Sequence, residues 1–506
     1  MTSRTEPAAE VEFGNLRTPR PPGLGPLSTG ASAALIGGVA VLFILLIINF
    51  WVALGWAVLL VAAVAPTAVP TRDGYGRYGS MVKRFRFRRA QAAGRTVLMQ
   101  GMTGAVPDGV CRLPGVGAPS ELHQFFDVHR RPFGVVSWPQ AGLHSIVLRL
   151  YPEGVVGLDK EFIDGQVAQW GAWLANLSTY EDIVAASVVV ETAPDSGQRL
   201  SRALARGRDE DAPEFAKTVT ERIRDEYSQG SPTLKVWVTL TFTAVEAGDA
   251  GDAADARGLG EVADEIGDLL PTLTGTLAMT GAGTSARPCT AQEIVDDTRV
   301  AFDPSVALLV EDAQASGGTG LTWADVGPLY ARARWDCYEH ESGVSRVWQM
   351  REPPRGVFYA ETLRRLLEPH KHTPRKRVTL LYRPESPQRS AAAAEADVKK
   401  AMFVASQRRR ATARAGTELE AAQVTARQEA HGSPLIRVGI LVSVTVLDPA
   451  ELRRASRAVM NSLAPPTRLT LRVPRATQDV SFLASLPLGM VPSRHMRIPS
   501  DVREAM

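Results

Sequence analysis

The chain has 506 residues, a formal net charge of +3 and a hydrophobic content of 45%. This length exceeds what one compact core usually holds, so we expect two or three domains. Three widely spaced cysteines, Cys111, Cys289 and Cys337, form no CxxC pair, which excludes a disulfide framework and a zinc ribbon.

The N-terminal region combines a Pro-rich arm with a long apolar stretch. Residues 1–27 contain five prolines and few apolar side chains, which predicts a disordered arm. Residues 28–71 contain no Asp, Glu, Lys or Arg. Because a bilayer core of about 30 Å needs roughly 20 helical residues, we interpret 28–71 as a two-helix transmembrane hairpin, with helices near 31–48 and 51–64. The stretch is too long and starts too late for a signal peptide.

A basic juxtamembrane segment follows at 72–100. Its cations are Arg72, Arg77, Lys83, Arg84, Arg86, Arg88, Arg89 and Arg95. Positive flanks stay in the cytoplasm, so we predict an inner-membrane protein with both termini and the bulk of the chain in the cytosol. Beside a membrane span, such a cluster favours anionic lipid headgroups over nucleic acid, and direct nucleic-acid binding is disfavoured.

Residues 101–320 predict a first α/β domain, in which apolar strands alternate with helical patterns. The predicted strands are 145–151, 183–191, 233–244 and 276–280. The predicted helices are 158–177, 213–229, 261–274 and 290–301. Such alternation is typical of helices packed on a sheet.

A second α/β domain is predicted over 321–490, followed by a tail at 491–506. Its predicted strands are 344–350, 377–382, 435–447 and 467–473, and its helices are 359–367 and 449–462. Residues 390–428 are rich in Ala, Glu, Arg and Gln, which predicts a projecting helical hairpin inserted into this domain. The fold class is therefore α/β (α+β) cytosolic domains behind an N-terminal two-helix transmembrane hairpin, and the two β-α-β sets are candidates for distantly similar modules.

The motifs that usually carry catalysis are missing from the sequence. No lysine completes a GxxxxGK[ST] phosphate loop, and no GxSxG nucleophile elbow occurs. His370 and His372 form an HxH, but the neighbouring Lys371, Arg375, Lys376 and Arg377 would repel a metal ion, so we interpret the segment as a solvated basic loop. We predict no catalysis by this chain, no cofactor and no bound metal.

Two features are candidates for docking a partner. The first is the basic surface of the helical hairpin, with Arg408, Arg409, Arg410 and Arg414. The second is the apolar C-terminal segment, with Phe482, Leu483, Leu486, Pro487 and Leu488, because these side chains would otherwise be exposed without a function.

The Pro-rich arm, apolar hairpin and RFRFRR flank resemble the PrgI-like inner-membrane component of type IV secretion and conjugation systems. The following part resembles the N-terminal half of the conjugative ATPase, with Trp170, Trp173 and Leu174 on its first helix and QDVSFLASLPLG at 478–489. The chain ends where that ATPase would begin its motor domain. The segments RWDCYEHES and REPPRGVFYAETLRRLL resemble motor-less membrane proteins of actinobacterial conjugation-like secretion loci.

The resemblance implies a membrane scaffold that recruits a separate ATPase and channel subunits, with a homo-oligomer left open. One alternative is a membrane component of a type VII secretion system. A membrane-tethered nucleotide-binding regulator or hydrolase is another, and ATP turnover by the isolated chain would identify it.

Overall fold

A computed structural model describes most of the chain. The described residues are 29–68, 77–104, 109–152, 154, 157–195, 197, 203–207, 209, 211–227, 232–244, 257–283, 285–354, 360–407, 413–430, 432 and 434–496. The predicted arm at 1–27 and the end of the predicted tail, 497–506, lie outside them.

Three helices open the described part: α1 (Thr29–Ile48), α2 (Phe50–Ala68) and α3 (Arg77–Ala92). The first two pack against each other at Gly38, where a Cβ atom would lie 2.3 Å from Cδ1 of Leu60. Trp56 donates its indole N–H to the Gly38 carbonyl over 2.9 Å. A glycine is therefore what allows the two helices of this hairpin to approach so closely.

The transmembrane assignment of this hairpin is wrong. Within the described residues, no helix reaches the length and hydropathy of a membrane span. The predicted inner-membrane localisation and the transmembrane part of the fold class rested on that assignment, and they are corrected with it.

The strands form one antiparallel sheet that crosses the predicted domain boundary at 320. The strands are β1 (Val97–Met99), β2 (Glu121–Phe126), β3 (Pro132–Trp138), β4 (Leu143–Leu150), β5 (Ile183–Pro194), β6 (Pro232–Thr243), β7 (Arg287–Pro288), β8 (Tyr330–Ala333), β9 (Tyr338–His340), β10 (Gly343–Glu352), β11 (Arg375–Pro384), β12 (Ile436–Val446) and β13 (Thr470–Arg472). Their order is β1-β8-β9-β10-β12-β11-β5-β6-β4-β3-β2, with β13 beside β10 and β7 beside β4.

The remaining helices lie between and after these strands. They are α4 (Lys160–Leu177), α5 (Glu214–Tyr227), α6 (Leu259–Leu277), α7 (Ala291–Phe302), α8 (Ala307–Gln314), α9 (Arg364–Leu367), α10 (Pro387–Gln407), α11 (Ala413–Ala430), α12 (Leu452–Ala458) and α13 (Gln478–Ala484).

The sheet consists of two halves with the same topology. The first half, β2-β3-β4-α4-β5-α5-β6-α6-β7-α7, is repeated as β8-β9-β10-α9-β11-(α10, α11)-β12-α12-β13-α13. The spatial order is also repeated, and the halves meet at the antiparallel β5–β11 ladder. An antiparallel pair is compatible with a two-fold axis, so the molecule has the topology of an internal duplication with pseudo-two-fold symmetry.

The β-α-β pattern of the sequence is present, although each pair of parallel strands is split. Strands β4 and β5 are joined through α4, but β6 lies between them and pairs antiparallel with both. In the second half, β12 lies between β10 and β11 in the same way. Every ladder is therefore antiparallel, as in split β-α-β units.

The strand predicted at 276–280 is wrong, because α6 extends to Leu277 and continues into a helical turn. Leu270, Leu273 and Leu277 are buried at helical spacing. The Thr274 hydroxyl donates to the Leu270 carbonyl over 2.8 Å, so this β-branched residue is accommodated inside the helix.

The two faces of the sheet carry different cores. On the face that we call the back, α4 and α6 cover the first half and α9 and α12 cover the second, with two hydrophobic clusters. On the opposite face, the front, α7 and α13 pack over one cluster that draws residues from both halves. Phe302 of α7 and Phe482 of α13 meet there with ring centroids 5.4 Å apart.

Candidate functional site: the polar front face of the sheet

A row of charged side chains crosses the front face where the two halves join. Lys235 on β6, Glu191 on β5 and Arg377 on β11 stand opposite one another in register. The Glu191 carboxylate accepts from Arg375 Nη1 over 2.5 Å and from Nε of Arg377. Burial alone would raise the pKa of Glu191, but Arg377 and Arg375 hold this pKa below its usual range. Glu191 therefore remains ionised and joins the two halves.

A second carboxylate, Asp297 of α7, reaches down to the same row. It lies 3.0 Å from Arg149 Nη1 and 3.1 Å from Lys235 Nζ, and accepts from the Trp237 indole over 3.2 Å. The Arg149 guanidinium also lies over the Trp237 ring, 4.7 Å from its centroid. Burial would raise the pKa of Asp297, but the cations Lys235 and Arg149 lower it overall.

The cluster thus contains four cations and two carboxylates, and it is largely enclosed. The adjoining cavity, lined by Trp237, Cys289 and Asp297 among others, has a volume of about 10 Å³. That is the room of about one water molecule. Nη1 of Arg377 has no hydrogen-bond partner within the described part of the chain. The arrangement is suited to holding charges in place, and the cavity is too small for a metabolite.

The sequence predicts Arg375, Lys376 and Arg377 in a solvated basic loop, with Arg377 also at the start of a predicted strand, and the structure contradicts the solvated placement of all three. All three begin β11 and are buried. Arg375 and Arg377 point to the front, whereas Lys376 points to the back and donates its ammonium to the Glu368 carbonyl. Burial lowers the pKa of Lys376 to about 8. The sequence signal for this placement was that the three consecutive cations lead directly, without a turn residue, into the apolar run of β11.

His370 and His372 lie in the turn before β11, with ring centroids 5.5 Å apart. The backbone N–H of His372 donates to Nδ1 of His370 over 3.2 Å. In the part of the chain that the structure describes, no group of three or more His, Cys, Asp or Glu side chains is arranged to hold a metal ion.

A histidine–serine pair that sequence reasoning missed lies inside the second half. Nε2 of His340 is 2.7 Å from the Ser345 hydroxyl, and Nδ1 is 2.6 Å from the Phe302 carbonyl. The Ser345 hydroxyl is also 2.7 Å from that of Thr445. Burial lowers the pKa of His340 to about 4, so the ring is neutral and Nδ1–H donates to Phe302. These distances are those of a base beside a nucleophile, but His340 and Ser345 are fully enclosed, so a substrate cannot reach them.

The C-terminal segment 478–491 lies in the Ser- and Thr-lined front face. Its carbonyls accept from side chains of both halves: Ser485 from Thr379 over 2.9 Å, Leu488 from Trp138 over 3.2 Å, and Gly489 from Thr241 over 3.1 Å. The side chains proposed as a docking surface are part of this packing: Phe482, Leu483, Leu486 and Leu488 are buried, and Pro487 is half-buried. They close the core and are not presented to a partner.

The predicted basic residues are placed as follows. Lys83, Arg84, Arg86, Arg88 and Arg89 lie on α3, and Arg95 follows it. Burial and nearby Arg472 lower the pKa of Lys83. Phe87 of α3 packs on Trp335, with ring centroids 5.5 Å apart. Arg72, Arg408, Arg409 and Arg410 lie outside the described residues, as do the side chains of Arg77 and Arg414. The lipid contact predicted for this flank depended on a neighbouring membrane span and loses that support.

A surface cleft of about 310 Å³ lies between the turn after α4 and the start of α6. Tyr180 and Phe242 are among its apolar walls. Its cation, Arg257, is already bound to Asp182 over 2.8 Å and to Glu265 over 2.6 Å. The two terminal nitrogens of Arg257 are therefore occupied by carboxylates, whereas its Nε has no hydrogen-bond partner within the described residues.

Comparison with known proteins adds one match. The model of a family described as a domain of unknown function, DUF8461, matches residues 20–75, the region of α1 and α2. No curated protein matches the chain. Neither result supports the secretion or conjugation role expected from the sequence, and the N-terminal hairpin is similar to a domain whose function is unknown.

Proposed function

We propose that the chain is a non-catalytic scaffold that binds a separate motor ATPase through its projecting helical hairpin, α10 and α11. The observation that carries this proposal is the way in which the hairpin is attached. Ser390 and Ala394 are buried at its base, where the Ser390 hydroxyl accepts from the Leu435 backbone N–H over 2.8 Å. Towards the tip, Met402 and Phe403 are 49% and 61% exposed.

Because the base of the hairpin is fixed to the sheet, the exposed aromatic side chain of Phe403 is suited to pack into a pocket of a partner. In the sequence, Arg408, Arg409 and Arg410 follow α10, and such a basic run favours an acidic partner. The side chains that could act as a base or a nucleophile are buried in the core. His340 is held by hydrogen bonds to Phe302 and Ser345, and burial raises the pKa of the Cys289 thiol. Together with the resemblance of the sequence to the N-terminal half of a conjugative ATPase, these features favour a binding role.

The test compares the full chain with two variants, Phe403→Ser in the hairpin and Met279→Ser as a control. Met279 is 69% exposed at the end of α6, so both changes remove one exposed apolar side chain. We expect tagged wild type and Met279→Ser to copurify with a motor ATPase from the native host, and Phe403→Ser to lose it. ATP hydrolysis by the purified chain alone, or equal recovery of the ATPase with all three proteins, would overturn the proposal.

A further inference from the structure

We propose that a second copy of this chain pairs with the outer edge of β2 and continues the sheet across a two-fold axis. This surface is separate from the helical hairpin, so the inference stands or falls independently of the proposed function.

The backbone geometry of β2 leaves three residues pointing outward. Gly134 of β3 stands opposite Gln124, but its N–H donates to the Cys289 carbonyl and not to β2, so this pair of residues is not hydrogen-bonded. The Asp127 N–H, in contrast, donates to the Arg131 carbonyl over 3.0 Å. Hydrogen-bonded and non-hydrogen-bonded pairs alternate along an antiparallel ladder, so Leu122, Gln124 and Phe126 direct their N–H and C=O groups away from β3. No strand of the described chain pairs with this outer edge.

In the second half of the sheet, the strand that corresponds to β2 is β8, and its outer edge is paired. The outer edge of β8 is covered by β1 in an antiparallel ladder. There, the Gln100 N–H bonds to the Leu329 carbonyl and the Ala333 N–H to the Thr96 carbonyl, both over 2.8 Å. The two halves share their topology, yet β2 has no counterpart of β1 within the described ranges. Internal symmetry therefore identifies β2 as the edge that remains to be paired.

The edge is self-complementary. With a two-fold axis at Gln124, this residue faces Gln124 of the copy, and Leu122 faces Phe126 on both sides of the axis. Aliphatic–aromatic cross-strand pairs of this kind stabilise a ladder by roughly 0.2–1 kcal/mol each. Phe126 is 61% exposed and the following Val128 is 56% exposed, so the copy would also cover apolar surface.

The usual protections against edge pairing are weak in β2. The strand contains no Lys, Pro or Gly, and its ladder with β3 has no register shift. The protein already uses the proposed mode of association internally, because β5 and β11 join the two halves edge to edge in an antiparallel ladder. A β2–β2 contact would repeat that join between two molecules.

The first experiment measures the mass of the full chain in solution by sedimentation equilibrium, from about 1 to 100 μM. We expect a dimer for wild type and for Gln124→Thr, which retains the outward N–H. Gln124→Pro removes that N–H without breaking a bond to β3, a change that edge strands tolerate, and should weaken dimerisation at least tenfold. A wild-type monomer at 100 μM, or equal dimerisation of Gln124→Pro, would refute the proposal.

A second experiment excludes association through the apolar surface of α1 and α2. Bonded antiparallel pairs place Cα atoms about 5.5 Å apart, within the range of a disulfide. In a Cys111→Ser background, Gln124→Cys should therefore crosslink to its copy under mild oxidation. Glu121→Cys lies three residues from the axis and should not. Equal crosslinking at both positions, or none at 124, would place the contact elsewhere and overturn the inference.

Discussion

Replacing Glu191 by Gln should destabilise the protein strongly, although the shape of the side chain hardly changes. Glu191 lies between Arg375 and Arg377, with side chains that are 4%, 10% and 3% exposed. A pair at about 4 Å is worth roughly 4 kcal/mol at an effective dielectric constant of 20, so two arginines offer about 8 kcal/mol before desolvation. Desolvation costs several kcal/mol, which leaves an expected loss of about 3–5 kcal/mol when one buried partner is removed.

The assay is urea unfolding followed by circular dichroism, comparing Glu191→Gln with Glu395→Gln. Glu395 pairs with Lys399 on the surface of α10, where the two side chains are 70% and 77% exposed, so its loss should cost less than about 0.5 kcal/mol. In the double variant Glu191→Gln/Arg377→Met, one of the two uncompensated buried cations is also removed while Arg375 remains, so stability should partly recover. The reasoning is refuted if Glu191→Gln and Glu395→Gln are equally stable, or if the losses from Glu191→Gln and Arg377→Met simply add.

Three further predictions follow from the front face. Gly489→Ala should cost about 2–4 kcal/mol in thermal unfolding, because φ is +69° and the new Cβ would lie 2.1 Å from the Ser145 hydroxyl, whereas Gly165→Ala, in open space on α4, should be neutral or stabilising. The folded-state pKa of Asp297 is depressed, so the stabilisation from its carboxylate is present above about pH 4 and is lost as the pH falls through that pKa. Asp297→Asn should therefore flatten the acid side of the curve of unfolding free energy against pH. Parallel curves for wild type and variant would contradict this. Cys289 is buried and its pKa is raised, so mass spectrometry should find its thiol labelled only once urea unfolds the chain, and labelling of the folded protein would contradict its burial.

Local patterns in the sequence identified most elements of the sheet. The apolar runs at 145–151 and 233–244 correspond to β4 and β6, and the helix-forming composition of 390–428 corresponds to α10 and α11. These patterns are reliable because the period of side-chain burial, two in a strand and 3.6 in a helix, is a property of consecutive residues. The same argument failed at 276–280, where the Thr-rich sequence suits a strand but the buried leucines follow the helical period.

The sequence could not determine which strands are neighbours. The insertion of β6 between β4 and β5, and of β12 between β10 and β11, depends on residues far apart in the chain. Whether a charged or an apolar segment is buried or exposed depends on the same arrangement. Arg377 looks like a solvated cation until Glu191 is placed opposite it, and Phe482 looks like a docking residue until both halves of the sheet enclose it.

The sequence by itself determined the identity and approximate bounds of many helices and strands, and the absence of common catalytic motifs. The sequence suggested two similar modules, but only the tertiary structure decided their common strand order, their joining at β5–β11 and which edge, that of β2, stays unpaired among the described residues. The physical reason is that periodicity reports which side of an element is buried, whereas pairing and charge compensation depend on partners that are distant in sequence and meet only in the folded chain.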